Sequence, residues 1–185
     1  MPSKNKIRHE IIKKRSNLPQ CIIWLSTLQI SEKLLKLVEA KKFKHIHIYL
    51  PKKDSGEIDT FVIIKSIWQI YPKINISVPV SFEQKIQHSE IFPDTEYKYD
   101  NYHIPVPTSI KKVDLDTIDL VIVPLVAFDA KNNRIGYGKG FYDKFLAQLP
   151  KETYKIGLAY DFQKVDAIEI ETHDVQLDEV YTPKL

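Results

Sequence analysis

The chain has 185 residues, 43% hydrophobic and 28% charged, which is the make-up of an ordinary globular protein and excludes a disordered chain. The single cysteine, Cys21, excludes an intrachain disulfide framework and a multi-cysteine zinc site. No apolar run approaches the ~20 residues of a membrane helix, so a cytoplasmic protein with no membrane partner is expected.

In chain order, residues 3–16 read as a basic helix that Ser3 can cap, with Ile7, Ile11 and Ile12 at helical spacing. Asn17-Leu18-Pro19 breaks it. A second helix runs from Gln20 to Ala40, with Ile22, Leu25, Leu28, Leu34, Leu35 and Val38 on its apolar face and Cys21 expected to be buried. Residues 44–50 alternate and read as a strand, 51–56 as a loop, 58–70 as a helix and 74–80 as a strand. Lys85 to Ile91 is a candidate short strand, and prolines punctuate an irregular stretch over 81–117. Leu120 to Val126 is a nearly continuous apolar run, expected as a buried central strand. A glycine cluster follows, then a helix over 141–149, a strand over 155–159 and a last short strand at Val180 and Tyr181. Strands alternating with helices imply an α/β fold, a mainly parallel or mixed sheet with helices on both faces in a three-layer sandwich. One domain over residues 1–185 is expected.

The net charge is +3, but residues 1–53 hold 13 Lys/Arg against 3 Asp/Glu and the remainder 14 against 21. The N-terminal part is therefore expected either to face an anion or to be a solvated helical surface. Only five residues are glycine, and Gly136, Gly138 and Gly140 fall within five positions. They lie between a predicted buried strand and a helix, where backbone N–H groups and the helix dipole favour an anion. Arg134 and Lys139 add positive charge. Neither a dinucleotide G-x-G-x-x-G nor a P-loop fits, because position 141 is Phe141. Asp143, in the first turn of the helix, is either a dipole-favoured surface carboxylate or a Mg²⁺ ligand beside phosphate. His45 and His47 share one side of a strand and are read as satisfied core histidines, since no third metal ligand is placed by spacing.

Residues 133–143, Asn-Arg-Ile-Gly-Tyr-Gly-Lys-Gly-Phe-Tyr-Asp, resemble the N-R-[LI]-G-x-G-x-G-[FY]-Y-D signature of the 5-formyltetrahydrofolate cyclo-ligase family. Lys4 to Arg8 is similar to that family's K-x-x-[LI]-R start. Glu57 to Thr60 is similar to its E-[IV]-[DE]-T segment, and Tyr102 to Pro105 to its aromatic-x-I-P segment. The resemblance implies Mg²⁺- and ATP-dependent closure of 5-formyltetrahydrofolate, polyglutamylated forms included, to 5,10-methenyltetrahydrofolate. It implies that Lys4, Arg8, Arg134, Ile135, Gly136, Tyr137, Gly138, Lys139, Gly140, Phe141 and Tyr142 contact ATP, with Lys139 and Arg134 catalytic. Asp143 and Asp174 would hold Mg²⁺. Leu50, Glu57 and Tyr102 would line the folate site together with Tyr137, Gly138, Lys139, Gly140 and Phe141, Glu57 accepting two hydrogen bonds from the pterin edge. The chain departs from the family pattern after Pro79, where only Phe82 could stand in for the family's aromatic residue, and at Tyr137, where relatives carry arginine.

Two other readings are separable. A sugar-phosphate isomerase or CoA-transferase-like enzyme shares the α/β layout but would not need ATP. A nucleic-acid binder using residues 1–53 would show steep salt dependence without turnover; with no nucleic-acid motif present, no nucleic-acid partner is expected. A monomer is expected.

Overall fold

A computed structural model describes residues 3–82 and 85–184. Helix α1 spans Lys4–Ser16, with the Ser3 hydroxyl accepting from the Lys6 backbone N–H at 3.3 Å. Helix α2 spans Gln20–Lys41. Strand β1 (His45–Ile48) leads through a loop to α3 (Thr60–Ile70), then β2 (Asn75–Phe82) and β3 (Lys85–Ile91). Next come two short hairpin strands, β4 (Tyr97–Tyr99) and β5 (Pro105–Pro107), and the central β6 (Leu120–Val123). A second hairpin, β7 (Ala127–Phe128) and β8 (Arg134–Ile135), precedes α4 (Phe141–Leu146); β9 (Tyr154–Leu158) and β10 (Glu179–Tyr181) follow.

Six strands form one mixed sheet in the order β10-β9-β6-β1-β2-β3, all neighbours parallel except β2 and β3. Alternation along the strands sorts the core into two faces. Ile46, Ile48, Leu120, Ile122, Ile156 and Leu158 pack with α2 and α3 on one face. Val121 and Val123 pack with Phe145 and Leu146 of α4, and with Leu149 just beyond it, on the other. The result is the expected three-layer sandwich, with a thin second helical layer. Ile63, Ile64 and Ile67 of α3 are fully buried, each stabilising the fold by roughly 1.5–3 kcal/mol.

The topology fixes where a ligand can go. From β1 the chain moves to β2 on one side, and later to β6 on the other. The two loops that diverge from the ends of β1 and β6 open a crevice there, the usual ligand position of such sheets.

Three expectations change. The buried face of α2 is Ser26, Thr27, Ile30, Ser31, Leu34 and Val38, while Cys21, Leu25 and Leu28 are exposed. Small hydroxyl residues hold that face because α3 lies close: Thr27 Oγ1 accepts from the Asp59 N–H at 3.0 Å. The apolar run after residue 120 is a strand only to Val123, since Pro124 lacks an N–H for the ladder. The irregular middle holds an antiparallel hairpin, β4–β5, which two-residue patterning over prolines conceals. The side chain of Phe82 lies outside the described residues.

Candidate active site

The crevice is a cavity of about 550 Å³, a size suited to a small-molecule ligand. Lys4, Arg8, Leu50, Glu57, Tyr102, all of Arg134 through Asp143, and Asp174 line it. Every residue that the resemblance assigns to the ATP, folate or magnesium site is therefore gathered around one space.

The N-terminal helix supplies the first wall. Lys4 and Arg8, four residues apart, both face the cavity. Arg8 Nε donates to the Gly136 carbonyl at 2.8 Å, tying α1 to the glycine loop. Gly138 has φ +93°, and an added Cβ would lie 3.4 Å from the Arg8 guanidinium carbon. Glycine is needed there for backbone conformation, and its lack of a side chain leaves room for arginine. Gly136 has open space around it, and nothing in its backbone demands glycine. Lys139 Nζ lies 3.5 Å from the centre of the Tyr102 ring, so the loop also meets the β4–β5 hairpin.

The charged groups are paired across the cavity. Arg134, buried, donates to Asp143 Oδ1 at 2.6 Å and to the Val175 carbonyl. Lys4 Nζ lies 2.8 Å from Glu171 and 3.2 Å from Asp174. Burial works against the Lys4 ammonium, yet Glu171 and Asp174 hold its pKa above the ordinary value. Burial likewise opposes Asp174, but the Glu171 N–H and Lys4 hold its pKa below the usual carboxylate range. The Val175 N–H reaches Asp143 Oδ1 at 3.4 Å, so the segment carrying Asp174 runs directly beside Asp143.

Glu57 lies in the loop after β1, outside α3, whose N-cap is Asp59. It is buried, and its oxygens are engaged. Oε2 accepts from the Lys52 N–H at 2.8 Å and from Ser55 Oγ at 3.1 Å; Oε1 accepts from the Tyr137 hydroxyl at 2.5 Å. A carboxylate oxygen has about two acceptor positions, so only Oε1 retains one. Two hydrogen bonds from a ligand edge to Glu57 therefore require a present partner to move. The Tyr142 hydroxyl is buried at the cavity wall with no partner among the described residues. Burial raises its pKa far above the ordinary phenol value, with Glu57 adding and Arg134 opposing, so it remains a donor.

The family profile of 5-formyltetrahydrofolate cyclo-ligases matches residues 1–183. The chain belongs to the 5-formyltetrahydrofolate cyclo-ligase family. It is 33% identical over 184 residues to the 5-formyltetrahydrofolate cyclo-ligase of Haemophilus influenzae, covering 96% of each chain. It is 32% identical to the enzyme of the same name from Mycoplasma pneumoniae, covering 95% of each. Among solved structures, it superposes on the 5,10-methenyltetrahydrofolate synthetase of Aquifex aeolicus with a TM-score of 0.81 at 26% identity, covering 97% of this chain and 89% of that one. The Mycoplasma pneumoniae 5,10-methenyltetrahydrofolate synthetase gives a TM-score of 0.75 at 29% identity, covering 97% and 98%.

Membership of this cyclo-ligase family makes the chain a ligase and sets aside the isomerase, transferase and non-enzymatic readings. The two strand histidines are buried in the core, His45 with both ring nitrogens partnered and His47 with Nδ1 left without a partner among the described residues. His45 meets Thr117 Oγ1 and Ser77 Oγ, each at 2.8 Å, and His47 meets His88 at 2.9 Å. Burial lowers the pKa of all three imidazoles. Among the described residues no group of three or more His, Cys, Asp or Glu is placed to hold a metal by itself. No described helix is long and apolar enough to cross a membrane. Sequence reasoning missed Arg15, which is 2% exposed behind the cavity, and Glu171 and His173 on its rim. Arg15 is hidden in a run of basic residues, and its burial depends on segments more than forty positions away.

Proposed function

We propose that the protein closes 5-formyltetrahydrofolate, with or without a polyglutamate tail, to 5,10-methenyltetrahydrofolate, using ATP and releasing ADP and phosphate. The observation that carries this reading is the convergence of Lys4, Arg8, Glu57 and the whole 134–143 segment on one cavity. One continuous sheet spanning residues 45 to 181 supports reading residues 1–185 as a single catalytic domain. The cytoplasm is the proposed setting.

The cavity lining offers two kinds of chemistry. Lys4 and Arg8 with the glycine loop offer cations and backbone N–H groups to a triphosphate. Glu57, Leu50 and Tyr102 offer an acceptor, an apolar wall and a stacking ring to a pterin. The formyl oxygen attacks the γ-phosphorus and ADP leaves. N10 then attacks the formyl carbon and loses its proton; phosphate departs as the ring closes. Lys139 and Arg134 would offer fixed positive charge to the transferring phosphoryl group, which lowers the barrier.

Asp143 and Asp174 fit a magnesium ion: two carboxylates on one cavity, beside cations, with room for phosphate oxygens and water. When bound, the ion neutralises phosphate charge. The Lys4–Asp174 and Arg134–Asp143 pairs are complementary to such a ligand, because each could exchange its cation for a metal and its carboxylate for phosphate. In Asp143→Asn the magnesium concentration for half-maximal activity is expected to rise at least tenfold. An unaltered magnesium titration would remove Asp143 from that role. The reaction itself is tested by phosphate release. Phosphate should appear only with both ATP and 5-formyltetrahydrofolate present; release without the folate would contradict the reading.

A further inference from the structure

Arg15 occupies the last turn of α1. Its neighbours Lys13 and Lys14 are exposed, whereas Arg15 retains 2% exposure. A buried guanidinium is costly unless its donors are paired and its charge is met. Here Nε donates to the Ser55 carbonyl at 3.0 Å and Nη1 to the Leu125 carbonyl at 3.2 Å. Nη2 donates to the Tyr137 hydroxyl. That hydroxyl donates in turn to Glu57 Oε1 at 2.5 Å, and Nη2 lies 3.7 Å from the same oxygen.

Four segments distant in sequence thus meet at one side chain: the end of α1, the loop after β1, the turn after β6 at Leu125, and the glycine loop. The backbone of Arg15 joins in, since a Cβ on Gly56 would fall 2.1 Å from the Arg15 carbonyl oxygen. Two donors to carbonyls would suffice for a structural clamp. The third goes instead to a hydroxyl on a cavity-lining residue, which passes the contact to the Glu57 carboxylate. Arg15 itself does not line the cavity. Burial raises the Tyr137 pKa, with Glu57 adding and Arg15 opposing, so the hydroxyl stays protonated and able to donate.

We propose that Arg15 is a positioning residue which, through the Tyr137 hydroxyl, holds the Glu57 carboxylate and the glycine loop in one fixed relation, setting the folate and phosphate contacts of the site together. The proposal rests on the reading of Glu57 as the pterin-binding carboxylate. Because Tyr137 belongs to the phosphate loop and Glu57 to the folate contacts, a change at Arg15 is felt by both ligands although it touches neither.

The test is calorimetric binding of 5-formyltetrahydrofolate and, separately, of a non-hydrolysable ATP analogue to the full chain. The variants are Tyr137→Phe, Arg15→Met and their double. Tyr137→Phe should weaken folate binding roughly tenfold, the size of one hydrogen bond to a charged group, and should weaken nucleotide binding as well. Once Arg15 is replaced, the tyrosine change should add nothing further, because contacts in one network are not additive. A purely structural clamp would lower the melting temperature and leave both affinities of the folded protein unchanged. The proposal is overturned if Tyr137→Phe binds both ligands as the wild type does, or if the two losses multiply in the double variant. Should Arg15→Met fail to fold, Arg15→Lys takes its place in the same cycle. A wild type that binds no folate would overturn the functional reading and this proposal together. Folate binding that Tyr137→Phe leaves unaffected overturns the brace alone.

Discussion

Asp129 shows how one side chain places the segment that leads into the glycine loop. Nearly buried at the tip of the β7–β8 hairpin, it accepts from the Lys131 and Asn133 backbone N–H groups at 2.9 and 3.0 Å. Its other oxygen accepts from the Asn133 side chain at 2.9 Å and the Ile168 N–H at 3.1 Å. Burial opposes the charge, but these bonds hold the pKa below the ordinary 3.8. A carboxylate depressed in the folded state contributes stability above its unfolded pKa and loses it as pH falls through the folded value. Asp129→Asn should therefore cost roughly 1–3 kcal/mol near neutral pH. That deficit should narrow below about pH 3.8 in denaturant titrations. A deficit independent of pH would refute the charge's role. In the glycine loop, Lys139→Ala should raise KM for ATP about tenfold, as expected for loss of one charged contact; steady-state kinetics over ATP concentration checks it. Arg134, Gly136 to Gly140 and Asp143 were legible because they are contiguous, and the chemistry of phosphate binding is written in local residue types. Arg15 was not. Its neighbours are solvated lysines, and only tertiary packing separates it from them.

The elements carry a second lesson about what a sequence reveals. Helices α1, α2 and α3 and the strands β1, β2 and β9 lie within a few residues of where periodicity puts them. The face of α2 does not follow from hydrophobicity, because Ser26, Thr27 and Ser31 are chosen for size and hydrogen bonding at a close helix contact. The strands β7 and β8 are two residues each, too short for any pattern, yet they deliver Arg134 into the cavity. The end of α1 is set by a backbone contact. Gly56 has φ +67° and sits against the Arg15 carbonyl. Gly56→Ala adds a Cβ to a conformation that costs L-residues about 1 kcal/mol and drives it into backbone. It should lower stability by at least about 2 kcal/mol and loosen α1. Hydrogen exchange at the end of α1 would report this; unchanged protection would show that the docking is not seated there.

At the scale of the molecule, the sheet order places the crevice and the loops fill it. The switch between β1 and β6 sends one loop to carry Leu50 and Glu57 and another towards the glycine segment. The N-terminal helix then closes over the opening with Lys4 and Arg8. The charge asymmetry along the chain splits here: Lys4, Arg8 and Lys52 line the cavity, with Lys4 paired to Glu171 and Asp174, whereas the other N-terminal lysines form an exposed surface. The fold class was legible from alternating strands and helices. The pairing of Lys4 and Arg134 with carboxylates was not, since it joins residues as far apart as Lys4 and Asp174. Closure of a formyl-folate ring in this cavity at the expense of ATP is read from the absorbance of the methenyl product when the purified protein is mixed with 5-formyltetrahydrofolate and magnesium ATP. The absorbance should rise with ATP present and stay flat without it. A folded protein that leaves the absorbance flat in both, or raises it equally in both, would rule out ATP-driven ring closure.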